Sequence, residues 1–261
     1  MHQYIVKQML IAAKRADAWV KKIYSMDFPV EIKDDNSPVT DADKGADEII
    51  RAYLGTLFPE VGFLTEESTD DGKRFEKEAI FIVDPVDGTS EFVSRNGQFS
   101  INIAYCVNHE IVAAVIRIPM LNVSYYAVKG EGAYRLDDDK EPVRIHVSDR
   151  KDHLRACCSI SHVTPAEVEF YAKHKDLLEG EPAPIGASRK FCLVAEGIYD
   201  LSVRFSGGTK EWDVAPGDLI LTEAGGVLVQ PDGSRLTYNR EDVYNRNGYI
   251  IANNLDVALM K

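Results

Sequence analysis

The 261-residue chain predicts a mixed α+β and α/β fold built in alternating layers. Three observations carry that prediction. Apolar residues recur at helical spacing near the N-terminus, at Ile5, Met9, Ala12, Ala13, Ala16, Trp19 and Ile23. Residues 100–107, 111–118 and 123–128 are β-rich runs separated by turn residues, the pattern of an antiparallel meander. Beyond residue 150, strands near 155–160, 198–203, 226–229 and 248–252 alternate with helical stretches near 165–178, 188–196 and 214–224, as in α/β layers.

The N-terminal helix has Lys and Arg between its apolar positions, and no apolar stretch there is long enough for a signal core or a membrane span. It reads as the first structural helix, with peripheral attachment to a membrane as the rarer use of such a pattern. Asp34 to Pro38 form a loop, followed by a helical pattern through Ala46, Ile49, Ile50, Tyr53, Leu54 and Leu57. The short apolar runs at 61–64 and 79–83 read as buried strands, and Leu136 to Lys140 as an exposed turn. No repeat or flexible linker interrupts the chain. Two intimately packed halves are expected, an N-terminal α+β half over 1–145 and a C-terminal α/β half over 146–261.

Thirty basic and 42 acidic side chains leave a formal charge of −12, and 45% of residues are apolar. That is globular composition, not that of a disordered or fibrous chain. The acidity disfavours a nucleic-acid polymer as partner. It leaves small anions open, and surplus carboxylate suits hard divalent cations. Cys106, Cys157, Cys158 and Cys192 show no CxxC spacing, so buried reduced thiols in a cytoplasmic protein are expected.

Carboxylates gather at the ends of predicted elements: Asp41 and Asp43 after Thr40, Glu66-Glu67 after a strand, Asp84 and Asp87, and Asp213 ahead of a helix. Singly, each has a structural explanation as a helix cap, a turn or a solvated loop. Jointly they suggest more. In Asp84-Pro85-Val86-Asp87-Gly88-Thr89 two carboxylates three residues apart can return to one centre around a turn. The Val86 carbonyl is a further oxygen, Gly88 permits close backbone approach, and Thr89 and Ser90 present N–H groups at a helix start, which favours phosphate. One loop could hold metal and phosphate side by side.

Asp84-Pro85-Val86-Asp87-Gly88-Thr89-Ser90-Glu91-Phe92 resembles the DPxDGTxxF motif of the inositol monophosphatase superfamily, which comprises lithium-sensitive, magnesium-dependent phosphatases. Trp212-Asp213-Val214-Ala215-Pro216-Gly217-Asp218, ending in Glu223-Ala224-Gly225-Gly226, is similar to its second motif. Glu66-Glu67-Ser68 and Ser37-Pro38-Val39-Thr40-Asp41-Ala42-Asp43 stand in the right order upstream. The resemblance implies a layered αβαβα sandwich of the sugar-phosphatase type. It implies Glu66, Asp84, Asp87, Asp213 and the Val86 carbonyl as ligands of two or three Mg²⁺ ions. Thr89, with Thr40 and Asp43, would position and activate the attacking water, and Gly88 and Thr89 would hold the transferred phosphate.

The segment from Gly186 through Phe205 looks like the bacterial, sulfur-assimilating 3′(2′),5′-bisphosphate nucleotidases, as does Asn96-Gly97-Gln98-Phe99-Ser100. That likeness implies a nucleotide bisphosphate as the small phosphorylated substrate, with Lys190 and Arg204 on the phosphate that is not hydrolysed. A Lys and a fork-shaped Arg suit that task. Ala187 departs from the serine often found there; Ser188 stands next to it, although one residue on a helix turns a side chain by about 100°. His162 falls where relatives place a histidine near the nucleotide. An inositol or fructose-1,6-bisphosphatase-like sugar phosphatase is the alternative. Family members occur as monomers and as homodimers, and no apolar stripe in the chain selects between them.

Overall fold

Residues 2–33 and 38–260 are described in the computed structural model; of the loop expected at 34–38, residues 34–37, with Ser37 of the first motif, lie outside them, and Pro38 belongs to a strand. The chain opens with α1 (His2–Tyr24), whose apolar stripe is buried as the periodicity requires. A short ribbon of β1 (Glu31–Ile32) and β2 (Pro38–Val39) leads to α2 (Asp41–Leu57). Thr40 caps α2 in a reciprocal box with Asp43, which satisfies two otherwise orphaned donors of the first turn.

Next come β3 (Gly62–Thr65), β4 (Ala79–Asp87), the short helix α3 (Thr89–Val93), β5 (Ser100–Val107), β6 (Glu110–Ile118), β7 (Val123–Val128), β8 (Gly132–Asp137) and β9 (Val143–Ile145). These seven strands form one sheet in chain order, parallel only between β3 and β4. Alternation of side chains divides its residues between two cores. From β4, Phe81 and Val83 face α1 and α2, whereas Ile80 and Ile82 face the other side. A strand covered on both faces is continuously apolar, which is why 79–83 carries no polar alternation.

The C-terminal half adds β10 (Cys157–Cys158), α4 (Pro165–Lys173), β11 (Ala183–Pro184), α5 (Arg189–Ala195), β12 (Leu201–Arg204), α6 (Glu211–Glu223), β13 (Val227–Val229), β14 (Tyr249–Ala252) and α7 (Leu255–Ala258). Strands β12, β14 and β13 form a second, antiparallel sheet. Helices α5 and α6 lie between the two sheets, and α4 and α7 cover the outer face of the second. The order of layers is αβαβα. A single apolar cluster runs from Leu64 of β3 to Tyr249 of β14. Gly217 of α6 makes the tight crossing with α5 feasible: a Cβ there would lie 2.4 Å from the Phe191 ring.

Some elements differ from expectation. The strand expected over 155–160 is reduced to Cys157–Cys158, and α4 stops at Lys173, with a 3₁₀ turn at Lys175–Leu177. Leu136 and Asp137 belong to β8 rather than to a turn, and Asp138 is held by the buried Arg117 guanidinium at 2.8 and 3.0 Å. Arg117 also takes Asp17 of α1 at 2.8 Å, which ties the basic N-terminal helix to its own sheet. Cys106, Cys157 and Cys192 are buried and Cys158 is half-buried, all as free thiols.

Candidate active site

Strict alternation would send Asp84 and Asp87, three residues apart, to opposite faces of β4. The structure avoids this with a β-bulge: Asp84 pairs with Asn102 and Asp87 with Ser100, so three steps on β4 match two on β5. One extra residue rephases the strand and brings both carboxylates to one side. Pro85 sits within the bulge, where a missing N–H costs the ladder nothing. Asp213 arrives from the first turn of α6, where its Oδ2 accepts the Lys210 N–H at 2.5 Å.

Asp84, Asp87 and Asp213 each offer an oxygen, and these atoms all lie within 4.8 Å of one another. Asp84 is 1% exposed. Burial, and then the charges of Glu66, Asp87, Asp213 and Asp43, push its carboxyl well above the ordinary range. Burial followed by Asp87 and Glu66 pushes Asp213 up to about 8. Such a cluster fits a hard divalent cation, which would neutralise the repulsion and take oxygen ligands. Glu66 lines the same cavity, but its carboxylate bonds the Lys33 ammonium at 3.2 Å, and Lys33 also takes Glu67 at 2.5 Å. The Val86 carbonyl accepts the Thr89 hydroxyl at 3.1 Å.

Thr40, Asp43 and Thr89 meet in a second array. Asp43, 1% exposed, accepts the Thr40 hydroxyl at 2.7 Å and the Thr40 N–H at 2.8 Å on Oδ2. Its Oδ1 lies 3.1 Å from the Thr89 hydroxyl. The Thr89 proton is therefore shared between Asp43 and the Val86 carbonyl, and the hydroxyl oxygen keeps lone pairs for a donor from the cavity. Burial raises the Asp43 carboxyl above its usual value, against the hydrogen bonds from Thr40 and Thr89. Gly88 caps α3 at φ 86°, and Thr89 and Ser90 follow at the helix start.

Both halves line a cavity of about 560 Å³, which includes Asp84, Asp87, Thr89, Lys190, Arg204, Asp213 and His162. Lys190 donates to the carbonyls of Ile185 at 3.2 Å and Ala187 at 2.9 Å. Burial pulls its ammonium below the ordinary lysine value, countered in part by Asp87. An anion beside it would restore the charged form. Arg204 places Nη1 on the His162 carbonyl and lies 3.8 Å from Glu167. Glu167 directs its oxygens to the Phe205 and Thr164 N–H groups at 2.9 and 3.0 Å, so the rest of the Arg204 fork is not tied to it by hydrogen bonds.

The chain matches the inositol monophosphatase family over residues 2–260. The chain belongs to that family. It is 35% identical to the 3′(2′),5′-bisphosphate nucleotidase CysQ of Salmonella typhimurium over 248 residues, 94% of this chain and 98% of that one. It is 34% identical to its Escherichia coli K12 counterpart over 251 residues, 95% and 99%. Among solved structures it is similar to CysQ from Bacteroides thetaiotaomicron, described as a bacterial member of the same family. The TM-score is 0.84 at 34% identity, with 99% and 98% of the two chains covered. The suhB protein of Bartonella henselae superposes with a TM-score of 0.79 at 27% identity, with 98% and 96% covered. The family's phosphatases are magnesium-dependent, and the carboxylate cluster here has the donors that this requires. No helix among the described residues is long and apolar enough to cross a membrane.

Ser188, expected from the sequence among the substrate-binding residues, lines the cavity and also has partners in the acidic cluster. Ser188 is 2% exposed and precedes α5 rather than lying on it. Its N–H donates to Asp87 at 2.6 Å and its hydroxyl to the Asp213 carbonyl at 3.0 Å, while that hydroxyl accepts from Asn102 at 2.9 Å. With its hydrogen-bonding groups directed at Asp87, Asp213 and Asn102, Ser188 braces the acidic cluster. Ala187 adopts φ 52°, so the comparison of 187 and 188 as successive helical positions does not apply. His162 is exposed, and it is its carbonyl that engages Arg204. Sequence reasoning missed Lys33 and Asn102; a lysine shortly before the acidic loop was the available signal for the first.

Proposed function

We propose that this phosphatase is a Mg²⁺-dependent 3′(2′),5′-bisphosphate nucleotidase that removes the 3′-phosphate of 3′-phosphoadenosine 5′-phosphate, giving AMP and phosphate. The observation that carries this reading is a single cavity lined by the acidic cluster and also by Lys190 and Arg204. A simple monoester needs only the first. The names of the relatives point the same way. Four free thiols suit a reducing cytoplasm.

Asp84, Asp87 and Asp213 would hold the two or three Mg²⁺ ions, with the Val86 carbonyl as a further oxygen and Glu66 as a further carboxylate once released from Lys33. Bound Mg²⁺ supplies Lewis acidity, lowering the pKa of a water and screening the phosphate charge. Thr89 accepts a hydrogen bond from the attacking water and relays a proton to Asp43, whose raised carboxyl is a suitable acceptor. Gly88 and the N–H groups that follow it hold the transferred phosphate. The bond from phosphorus to the 3′ oxygen breaks, and that oxygen takes a proton from solvent water and leaves as the ribose hydroxyl. In this reading phosphate passes directly to water, with no covalent enzyme intermediate.

Phosphate release from 3′-phosphoadenosine 5′-phosphate and from inositol 1-phosphate tests the reading. A kcat/KM about ten- to a hundredfold higher for the bisphosphate is expected, since one charge-assisted phosphate contact adds about 1.5–3 kcal/mol. Preference for the inositol ester would overturn it.

A further inference from the structure

Glu91 is a carboxylate, 4% exposed, beside a cavity read here as an anion site. A buried negative charge there is unfavourable for binding phosphate unless it organises something else. It stands on α3, two residues after Thr89. Its Oε1 accepts the Ser161 hydroxyl at 2.6 Å. Ser161 belongs to the connection between β10 and α4, in which Ser159 and His162 line the cavity. The next residue, His162, gives its carbonyl to Arg204 Nη1. A continuous path therefore runs from the motif helix through Glu91 and Ser161 to the Arg204 guanidinium. Glu91 also lies close enough to Lys190 to favour its charged form.

We infer that Glu91 is a positioning residue for the second-phosphate subsite: through Ser161 it fixes the 159–163 connection, whose His162 carbonyl orients the Arg204 fork toward the phosphate that is not hydrolysed. The inference rests on the bisphosphate reading above. Neither Glu91 nor Ser161 touches substrate in this role. A planar guanidinium donates usefully only in its own plane, so a carbonyl that sets that plane controls affinity without making contact. Ser161 is exposed apart from this bond, so removing its hydroxyl leaves no buried orphan beyond Glu91 itself.

The test is kcat/KM for 3′-phosphoadenosine 5′-phosphate relative to adenosine 3′-monophosphate, which lacks the second phosphate. Ser161→Ala is expected to lower this ratio by about tenfold through KM for the bisphosphate, the scale of one oriented hydrogen bond. Ser161→Thr, which keeps the hydroxyl, retains the ratio. In a Glu91→Ala background, Ser161→Ala adds no further loss, because the two act through one bond. An unchanged ratio in Ser161→Ala, an equal fall for both substrates, or losses that add in the double variant would overturn the role. If Glu91→Ala does not fold, the Ala and Thr variants at 161 decide the matter. A wild-type ratio near one would instead remove the bisphosphate reading, and this inference with it.

Discussion

The Oδ2 atom of Asp87 accepts three hydrogen bonds, from the Ser188 N–H, the Ser100 hydroxyl and the Asn102 amide, at 2.6, 3.0 and 3.2 Å. Concentrating the donors on one oxygen orients the carboxylate and leaves Oδ1 for the cavity. Asp213 repeats the device, with Oδ2 on the Lys210 N–H. Orientation of this kind typically changes metal affinity 10- to 100-fold. Ser188→Ala keeps the N–H on Asp87 but removes the hydroxyl that holds the Asn102 amide and the Asp213 carbonyl, and is expected to raise the Mg²⁺ concentration needed for half-maximal activity by about tenfold, with KM for nucleotide changed less than about threefold. A Mg²⁺ titration of the variant checks this; a rise confined to substrate KM would return Ser188 to substrate contact. The motif around Asp84 was legible in the sequence because its parts are local. The ties of Ser188 to Asp87 and of Lys33 to Glu66 cross 101 and 33 residues, distances over which spacing carries no geometric information.

At the scale of elements, a bulge and a helix crossing assemble the centre. The β4 bulge sets two carboxylates, and the crossing of α5 with α6 brings Lys190 toward Asp213. That crossing depends on Gly217, where a side chain would meet Phe191. Gly217→Ala is expected to destabilise the fold by about 1–3 kcal/mol, the usual cost of overpacking. At this chain length that lowers Tm by about 2–4 °C per kcal/mol. Thermal unfolding checks it, and a companion Phe191→Leu change should restore part of the loss; an unchanged Tm would show that the helices separate freely. Long periodic elements such as α1 and the meander were readable from residue pattern. Strand β8 was not, because Tyr134, Arg135 and Leu136 are all half-buried and present no clean alternation.

For the whole molecule, the −12 balance divides into surface charge and a small buried cluster whose repulsion weakens the metal-free fold. Asp84 and Asp213 have raised folded values, so the stability they contribute is greatest below the unfolded carboxylate value near 3.9. It is lost as pH rises through about 8 for Asp213. In chelator, Tm should therefore fall as pH rises from about 6 to about 8, and excess Mg²⁺ should flatten that slope. At a hundredfold excess over Kd the cation adds about 2.7 kcal/mol, or about 5–11 °C in Tm. A slope unaffected by Mg²⁺ would contradict the placing of the cation at these carboxylates.

The account turns on Arg204 receiving a second phosphate in the cavity that holds the acidic cluster. Arg204→Gln tests this most directly, since it removes the cation without setting a new carboxylate beside the buried Glu167. The measurement is kcat/KM on 3′-phosphoadenosine 5′-phosphate and on adenosine 3′-monophosphate. The account predicts a loss of about thirtyfold for the bisphosphate, about 2 kcal/mol, with the monophosphate changed less than about threefold. Equal losses on the two substrates would contradict it.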